Sequence, residues 1–222
     1  MILRGDSEDR PKVDPNFVAL ARSWLHNPAE ALIGLLWTAH ARMRADDPLV
    51  DRRDLERSLT QLLEPRIRSA MTGYEPFYVQ HGPFERETML APPAQPPEYD
   101  IAFVLRADER VMWPIEAKIL ETPRAVASYV RDINEQFLTC RYAPFSGSGA
   151  MLGYLLSGDA SDVFVTVAKA LACALDPVPG HLGKNNRVSQ HARTVPSGKR
   201  YPASFACYHV ILDYPNVARA TR

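Results

Sequence analysis

The chain has 222 residues, 46% hydrophobic and 23% charged, enough for one globular domain with a sizeable core. Lys plus Arg equal Asp plus Glu at 26 each, so no global field draws the chain onto a polyanion and any nucleic-acid face must be local. Cys140, Cys173 and Cys207 form an odd set at wide spacing without histidine partners, which excludes a disulfide framework and a zinc–thiolate site and leaves reduced thiols in a cytoplasmic protein.

The first residues lack the apolar run of a signal peptide, and the longest apolar runs, 31–37 and 170–175, are too short to cross a bilayer, so no membrane partner is expected. Residues 14–46 read as helical. Asn27-Pro28-Ala29-Glu30 supplies an N-cap, a proline at the first helical position and a capping-box acid; residues 31–41 are apolar nearly all round, as in a buried helix. Asp51 is placed to cap a further helix in which Leu55, Leu59, Leu62, Leu63 and Ile67 recur at helical spacing. Residues 73–90 hold a first strand and its turns, and 91–97, with four prolines in seven residues, an extended loop.

Residues 100–106 and 111–120 are rich in branched and aromatic side chains and predict a hairpin closed by the polar tetrapeptide 107–110. Thr122-Pro123 opens a helix with the stripe Val126, Tyr129, Val130, Ile133, Phe137 and Cys140. Residues 144–149 read as a loop and 150–156 as a strand. Ser161 caps a helix running to Leu175, 176–204 is a long polar loop, and 205–214 is a closing strand. The pattern is an α/β domain, with residues 1–50 as a helical segment packed on a core spanning 51–222.

The hairpin carries the chemistry. Side chains alternate along a strand, so Asp100, Ala102 and Val104 share one face, and Glu116 and Lys118 share a face with Trp113, Ile115 and Ala117 opposite. Matching the apolar faces allows two registers. Leu105 opposite Val111 sets Asp100 across from Glu116; Ala107 opposite Val111 sets Asp100 across from Lys118, with Glu116 on the diagonal. A one-residue slip would bury the acids and expose the hydrophobics. In either register two carboxylates and an ammonium converge within ~5–8 Å. Such carboxylates suit a hard divalent cation, which takes one or two of them plus waters and phosphate oxygens. Lys118 would then hold or activate an attacking water, or stabilise developing charge. The plainer alternative is an exposed salt bridge on a solvated sheet face.

Pro97, Asp100 and Glu116-Ala117-Lys118 on such a strand pair resemble the PD-(D/E)xK nuclease superfamily, with Pro97 three residues before the acid rather than adjacent to it. The resemblance covers residues 51–156, with 157–214 as a continuation. It implies a restriction-endonuclease-like mixed sheet with an αβββαβ core, extra N-terminal helices and a C-terminal helix plus strand. It also implies a Mg²⁺-dependent endonuclease, Mn²⁺ substituting, in which Asp100, Glu116 and the Ala117 carbonyl hold the metal and Lys118 serves the attacking water. Glu56, in a Glu-x-x-Leu-Thr-x-x-Leu pattern similar to the superfamily's first core helix, is expected to add to the metal shell, with Glu64 as the substitute. Gln136 stands where related nucleases contact the metal water or scissile phosphate; the Gln-x-x-x-Tyr variant is absent, because Tyr142 follows by six residues. The ordinary alternatives are an exposed helical glutamate and a core-edge glutamine.

No acid occurs between Asp176 and Asp213, so Lys184, Arg187, Arg193, Lys199 and Arg200 predict a positive loop that tracks a phosphate backbone, or else a merely solvated one. Arg141 can fork a phosphate or pair with an acid. His191 and His209 lack a ligand partner at i+3 or i+4 and are expected to be hydrogen-bonded structural residues. The expected function is an endonuclease acting on DNA, a bacterial restriction or anti-phage effector gated by a partner protein. The oligomeric state is open between a monomer and the homodimer that double-strand cutters commonly use to supply two sites. The alternatives are a non-catalytic nucleic-acid-binding or assembly subunit, and a nuclease for RNA or branched repair intermediates.

Overall fold

The structure is a computed structural model and describes residues 28–88 and 96–216. The expected helix over 14–27, the Asn27 cap and loop residues 91–95 lie outside the described residues. Helices α1 (Ala29–Asp46) and α2 (Leu55–Ala70) precede an antiparallel meander of β1 (Phe77–His81), β2 (Ile101–Leu105) and β3 (Met112–Leu120). Helix α3 (Ala127–Asp132), continued by a π-helical turn (Ile133–Phe137), leads into β4 (Ser148–Leu155). Helix α4 (Ala160–Leu171) is followed by β5 (Asp176–Pro177), β6 (Asn186–Ala192) and β7 (Ser204–Asp213). The seven strands form one open mixed sheet in the order β1-β2-β3-β4-β7-β6-β5. The β3–β4 and β4–β7 pairs are parallel and the outer pairs antiparallel.

Both faces of the central strands are covered, which is why β2 and β3 read as continuous apolar runs. On one face Ile101, Phe103, Trp113, Ile115 and Leu152 pack against Leu32, Ile33 and Leu36 of α1 and Leu59, Leu63 and Ile67 of α2. On the other, Ala102, Val104, Met151, Phe205 and Ile211 meet Tyr129, Ile133 and Phe137 and, from α4, Val163, Phe164 and Val167. Each fully buried side chain of this size contributes about 1.5–3 kcal/mol, so these two clusters carry the fold.

Several local expectations are corrected. Pro28 sits at the cap position of α1, and only one side of that helix is buried, with Leu35 and Trp37 partly exposed. Asp54 caps α2 by accepting the Arg57 N–H, while Asp51 accepts the Arg53 N–H at 2.9 Å one turn earlier. The segment after Pro123 becomes helical only at Ala127, then widens so that the Leu138 N–H donates to the Ile133 carbonyl at 3.0 Å. Asp159, not Ser161, caps α4, and the helix stops at Ala172 in a left-handed conformation (φ 51°) rather than at Leu175.

The largest departure lies in 176–204, where the expected loop contains β5 and β6. The C-terminal addition is therefore a helix plus three strands rather than a helix plus one. The polar composition of β6 is met inside the sheet: Asn186 Oδ1 accepts the Trp37 indole N–H at 3.0 Å, and Ser189 Oγ lies 2.8 Å from His209 Nε2. All three cysteines are free thiols. Among the described residues no helix is long and apolar enough to cross a membrane.

Candidate active site

The β2–β3 pair adopts the first of the two registers: Ile101 faces Ile115, Phe103 faces Trp113 and Val104 faces Met112. Carried one residue further, that register sets Asp100 across from Glu116. Strand β2 begins at Ile101 while β3 runs on to Leu120, so among the described residues one edge of β3 has no strand partner from Ala117 onward. Two carboxylates take the place of the ladder. Asp100 Oδ2 accepts the Ala117 N–H at 2.7 Å, and Glu56 Oε2, from the start of α2, accepts the Ile119 N–H at 2.9 Å. A buried N–H left unpaired is costly, so the sheet itself fixes both acids. The N–H and C=O of one strand residue leave by the same edge, which turns the Ala117 carbonyl to the Asp100 side.

Lys118 gathers the acids on the α3 face of the sheet. Its Nζ lies 2.8 Å from Glu116 Oε1, 3.1 Å from Asp132 Oδ2 and 3.7 Å from Glu56 Oε1. Asp132 ends α3, and Gln136 follows in the π-helical turn. Tyr142 packs edge-on against Phe137 and Tyr99, and its hydroxyl donates to the Glu98 carbonyl at 2.9 Å. The alternative of an exposed salt bridge on a solvated face does not describe these residues: Glu116 is 8% exposed and Asp132 9%. Strand alternation places the acids on one face but cannot say that a helix covers it.

Four carboxylates thus share one ammonium. Burial pushes the Glu116 carboxyl up, the charge of Asp100 adds to this, and the result is about 8 despite Lys118. Burial also raises Asp100 and Glu56, opposed by their backbone N–H bonds and by Lys118. Burial disfavours the Lys118 charge, but Glu116, Glu56 and Asp100 outweigh it and hold the ammonium protonated. Tyr142 is raised by burial and then by the nearby acids.

Two buried side-chain oxygens have no hydrogen-bond partner among the described residues, Glu116 Oε2 and Gln136 Oε1. An unpartnered carboxylate oxygen amid excess negative charge suits a cation. Among the described residues no three His, Cys, Asp or Glu side chains are grouped to ligate a metal together. Mg²⁺, however, needs only one or two carboxylates beside waters and phosphate oxygens, and Asp100, Glu116 and the Ala117 carbonyl fit that requirement.

The structure brings Asp100, Glu116, Lys118 and Glu56 together, with Gln136 one turn beyond Asp132. Glu64 pairs with Arg68 at 2.6 Å instead. Asp132 is a site residue that the sequence reading missed. Its spacing of three from Tyr129 and four from Gln136 is the signal that could have found it.

The basic residues are scattered rather than forming one loop. Arg193 is buried and donates to the carbonyls of Phe137, Tyr142, Ala143 and Ser146 at 2.6–3.1 Å. Lys184 lies over the Trp37 ring of α1 and Arg187 over the Phe164 ring of α4, on opposite faces of the sheet. Lys199 pairs with Glu87 at 3.2 Å, and Arg200 is exposed. Arg131, 4.0 Å from Asp132, and Arg141, next to Tyr142 in the chain, are exposed cations beside residues of the cluster. His209 is buried between the Tyr129 hydroxyl (2.9 Å) and Ser189, and His191 Nε2 lies 2.6 Å from the same Ser189 hydroxyl, as structural histidines would.

No protein-family model matches this chain, and comparisons with curated proteins and with solved structures give no match. The class that fold and site define is a mixed α/β domain with a seven-stranded, mostly antiparallel open sheet and a buried carboxylate–lysine cluster at the free edge of its third strand.

Proposed function

We propose that the protein is a divalent-cation-dependent endonuclease of the PD-(D/E)xK kind, acting on DNA. The observation that carries this reading is Glu116 Oε2, buried and unpartnered, on the strand of Lys118 and across from Asp100. The order α2-β1-β2-β3-α3-β4 supports reading residues 55–155 as a restriction-endonuclease-like αβββαβ core, with α1 and the segment from α4 to β7 as additions.

Asp100, Glu116 and the Ala117 carbonyl would hold Mg²⁺ or Mn²⁺, which supplies Lewis acidity toward a phosphate oxygen and a water. The Lys118 ammonium stabilises negative charge developing on the phosphate. Glu56 fixes the free edge of β3 and adds to the negative field around Lys118. Gln136 Oε1 accepts a hydrogen bond from the attacking water, and Tyr142 limits access of bulk water. The resemblance further supports a restriction or anti-phage role, and the free thiols favour a reducing compartment such as the cytoplasm. A non-catalytic nucleic-acid-binding subunit is the second reading, favoured by the use of Asp100 and Glu56 as backbone acceptors.

Incubating the protein with plasmid, linear DNA and RNA, with Mg²⁺, Mn²⁺ or EDTA, tests both. DNA cleavage is expected only with a cation, falling roughly 10³-fold or more in Asp100→Ala and Glu116→Ala. Binding without cleavage under every condition selects the second reading, and variants that cut at the wild-type rate sink the catalytic assignment.

A further inference from the structure

We infer that Asp132 is a positioning residue, an anionic seat that takes the Lys118 ammonium when a divalent cation occupies Glu116. The inference rests on the metal-site reading above. Lys118 makes its shortest contact with Glu116 Oε1, on the carboxylate whose other oxygen is the one left without a partner. Ammonium and divalent cation therefore compete for one carboxylate, and their like charges oppose joint occupancy. Lys118 is tethered to β3 and cannot go far. Asp132 Oδ2 already stands 3.1 Å from Nζ, so a small side-chain rotation transfers the ammonium from one acid to the other.

Glu56 is the poorer seat. It lies 3.7 Å from Nζ, its side chain is 34% exposed, and its second oxygen is committed to the Ile119 N–H. The Asp132 side chain is 12% exposed, and its other cationic neighbour is Arg131 at 4.0 Å, which is mostly in solvent. An acid so buried is costly unless paired, and Lys118 is the partner within hydrogen-bond reach.

The test is a double-mutant cycle read by Mn²⁺ binding in the absence of nucleic acid, with thermal melting as the folding control. Lys118→Met removes the competitor and is expected to tighten Mn²⁺ binding. Asp132→Asn strands the ammonium on Glu116 and is expected to weaken binding about tenfold in the wild-type background. In the Lys118→Met background the same change should weaken it no more than about threefold, the residue of a through-space charge effect. Asp132→Glu, which keeps the charge, should recover most of the wild-type affinity.

Equal losses in both backgrounds would make Asp132 a direct partner of the cation and overturn the inference, as would no loss in the wild-type background. If Asp132→Asn fails to fold, Lys118→Met decides alone: unchanged or weaker Mn²⁺ binding means no competition and no seat. Absence of Mn²⁺ binding by folded wild-type protein would instead remove the metal-site reading, and this inference with it.

Discussion

Arg193 and Glu116 are buried to the same degree, 7% and 8% exposed, yet their hydrogen-bond accounts are opposite. Arg193 spends its guanidinium on four backbone carbonyls and lies over the Phe205 ring. It pins the end of the π-helical turn and the following loop to the sheet, and with them the segment carrying Gln136 and Tyr142. Among the described residues Glu116 has one hydrogen bond, from Lys118, and an oxygen without a partner. Burial of a charge therefore does not by itself mark function. A satisfied buried charge is a rivet; an unsatisfied one among its like is a site awaiting a ligand.

Stability should separate the two most sharply. Arg193→Met strips partners from four carbonyls at once and is expected to cost about 3–5 kcal/mol. Glu116→Gln keeps an acceptor for Lys118 while removing a repelled negative charge, so it is expected to be neutral or to stabilise by up to ~2 kcal/mol. Urea denaturation at pH 8 in EDTA measures both. A loss in Glu116→Gln as large as in Arg193→Met would erase the distinction.

The pH dependence of stability sharpens the same contrast. Above about pH 4.5 the unfolded chain gives up the Glu116 proton, whereas the folded protein keeps it to about 8. The folded state then holds more protons, and stability falls as pH rises across that interval. Asp100, Glu56 and Glu85, also raised by burial, act in the same direction. His40 and His209, kept neutral by burial down to about 4 and about 3, give the opposite slope, but only below their ordinary value of 6.5. From pH 6.5 to about 8 the carboxylate slope stands alone. In EDTA the melting temperature of the wild type should fall across this window, Glu116→Gln should fall less, and Ca²⁺ should flatten the wild-type curve. A flat wild-type curve in EDTA would mean that folding does not raise the Glu116 carboxyl and that it is already ionised in the folded protein.

The acids of the hairpin were legible in the sequence because strand alternation and apolar matching leave only two registers, and both bring Asp100, Glu116 and Lys118 together. Their burial was not legible. It depends on how α3 and Tyr142 pack over that face, a tertiary arrangement that strand alternation does not encode. Asp132 was overlooked among the polar residues of α3, although it stands three residues after the stripe residue Tyr129, because spacing does not say which strand residues that side of the helix will meet. Strand β6 reads as loop because Asn186, Ser189 and Gln190 are poor strand formers, and it is the partners Trp37 and His209 that make such residues acceptable there. The same strand shows why the basic segment misled. Lys184, in the bend before β6, and Arg187, on the strand, lie over opposite faces of the sheet, and Arg193 turns inward.

How a neutral chain holds a polyanion is the smallest effect and the most local one. Each phosphate contact adds roughly one unit to the log–log slope of affinity against salt. Lys184 lies over Trp37 at 5.4 Å and Arg187 over Phe164 at 4.9 Å, on opposite faces, so one duplex cannot engage both. Arg131 and Arg141 are exposed, and each adjoins a residue of the acidic cluster, Asp132 and Tyr142. Changing Arg131 and Arg141 together to Ala is expected to flatten the slope by up to about two, evenly across DNA sequences, while Lys184→Ala with Arg187→Ala leaves it unchanged. A salt titration of DNA binding in Ca²⁺, which permits binding without relying on turnover, reads both pairs. Should the Lys184 and Arg187 pair flatten the slope instead, the polyanion runs along the β6 side of the sheet. The acids beside Lys118 would then lie away from the bound strand, which is the arrangement a binding subunit has and a nuclease cannot use.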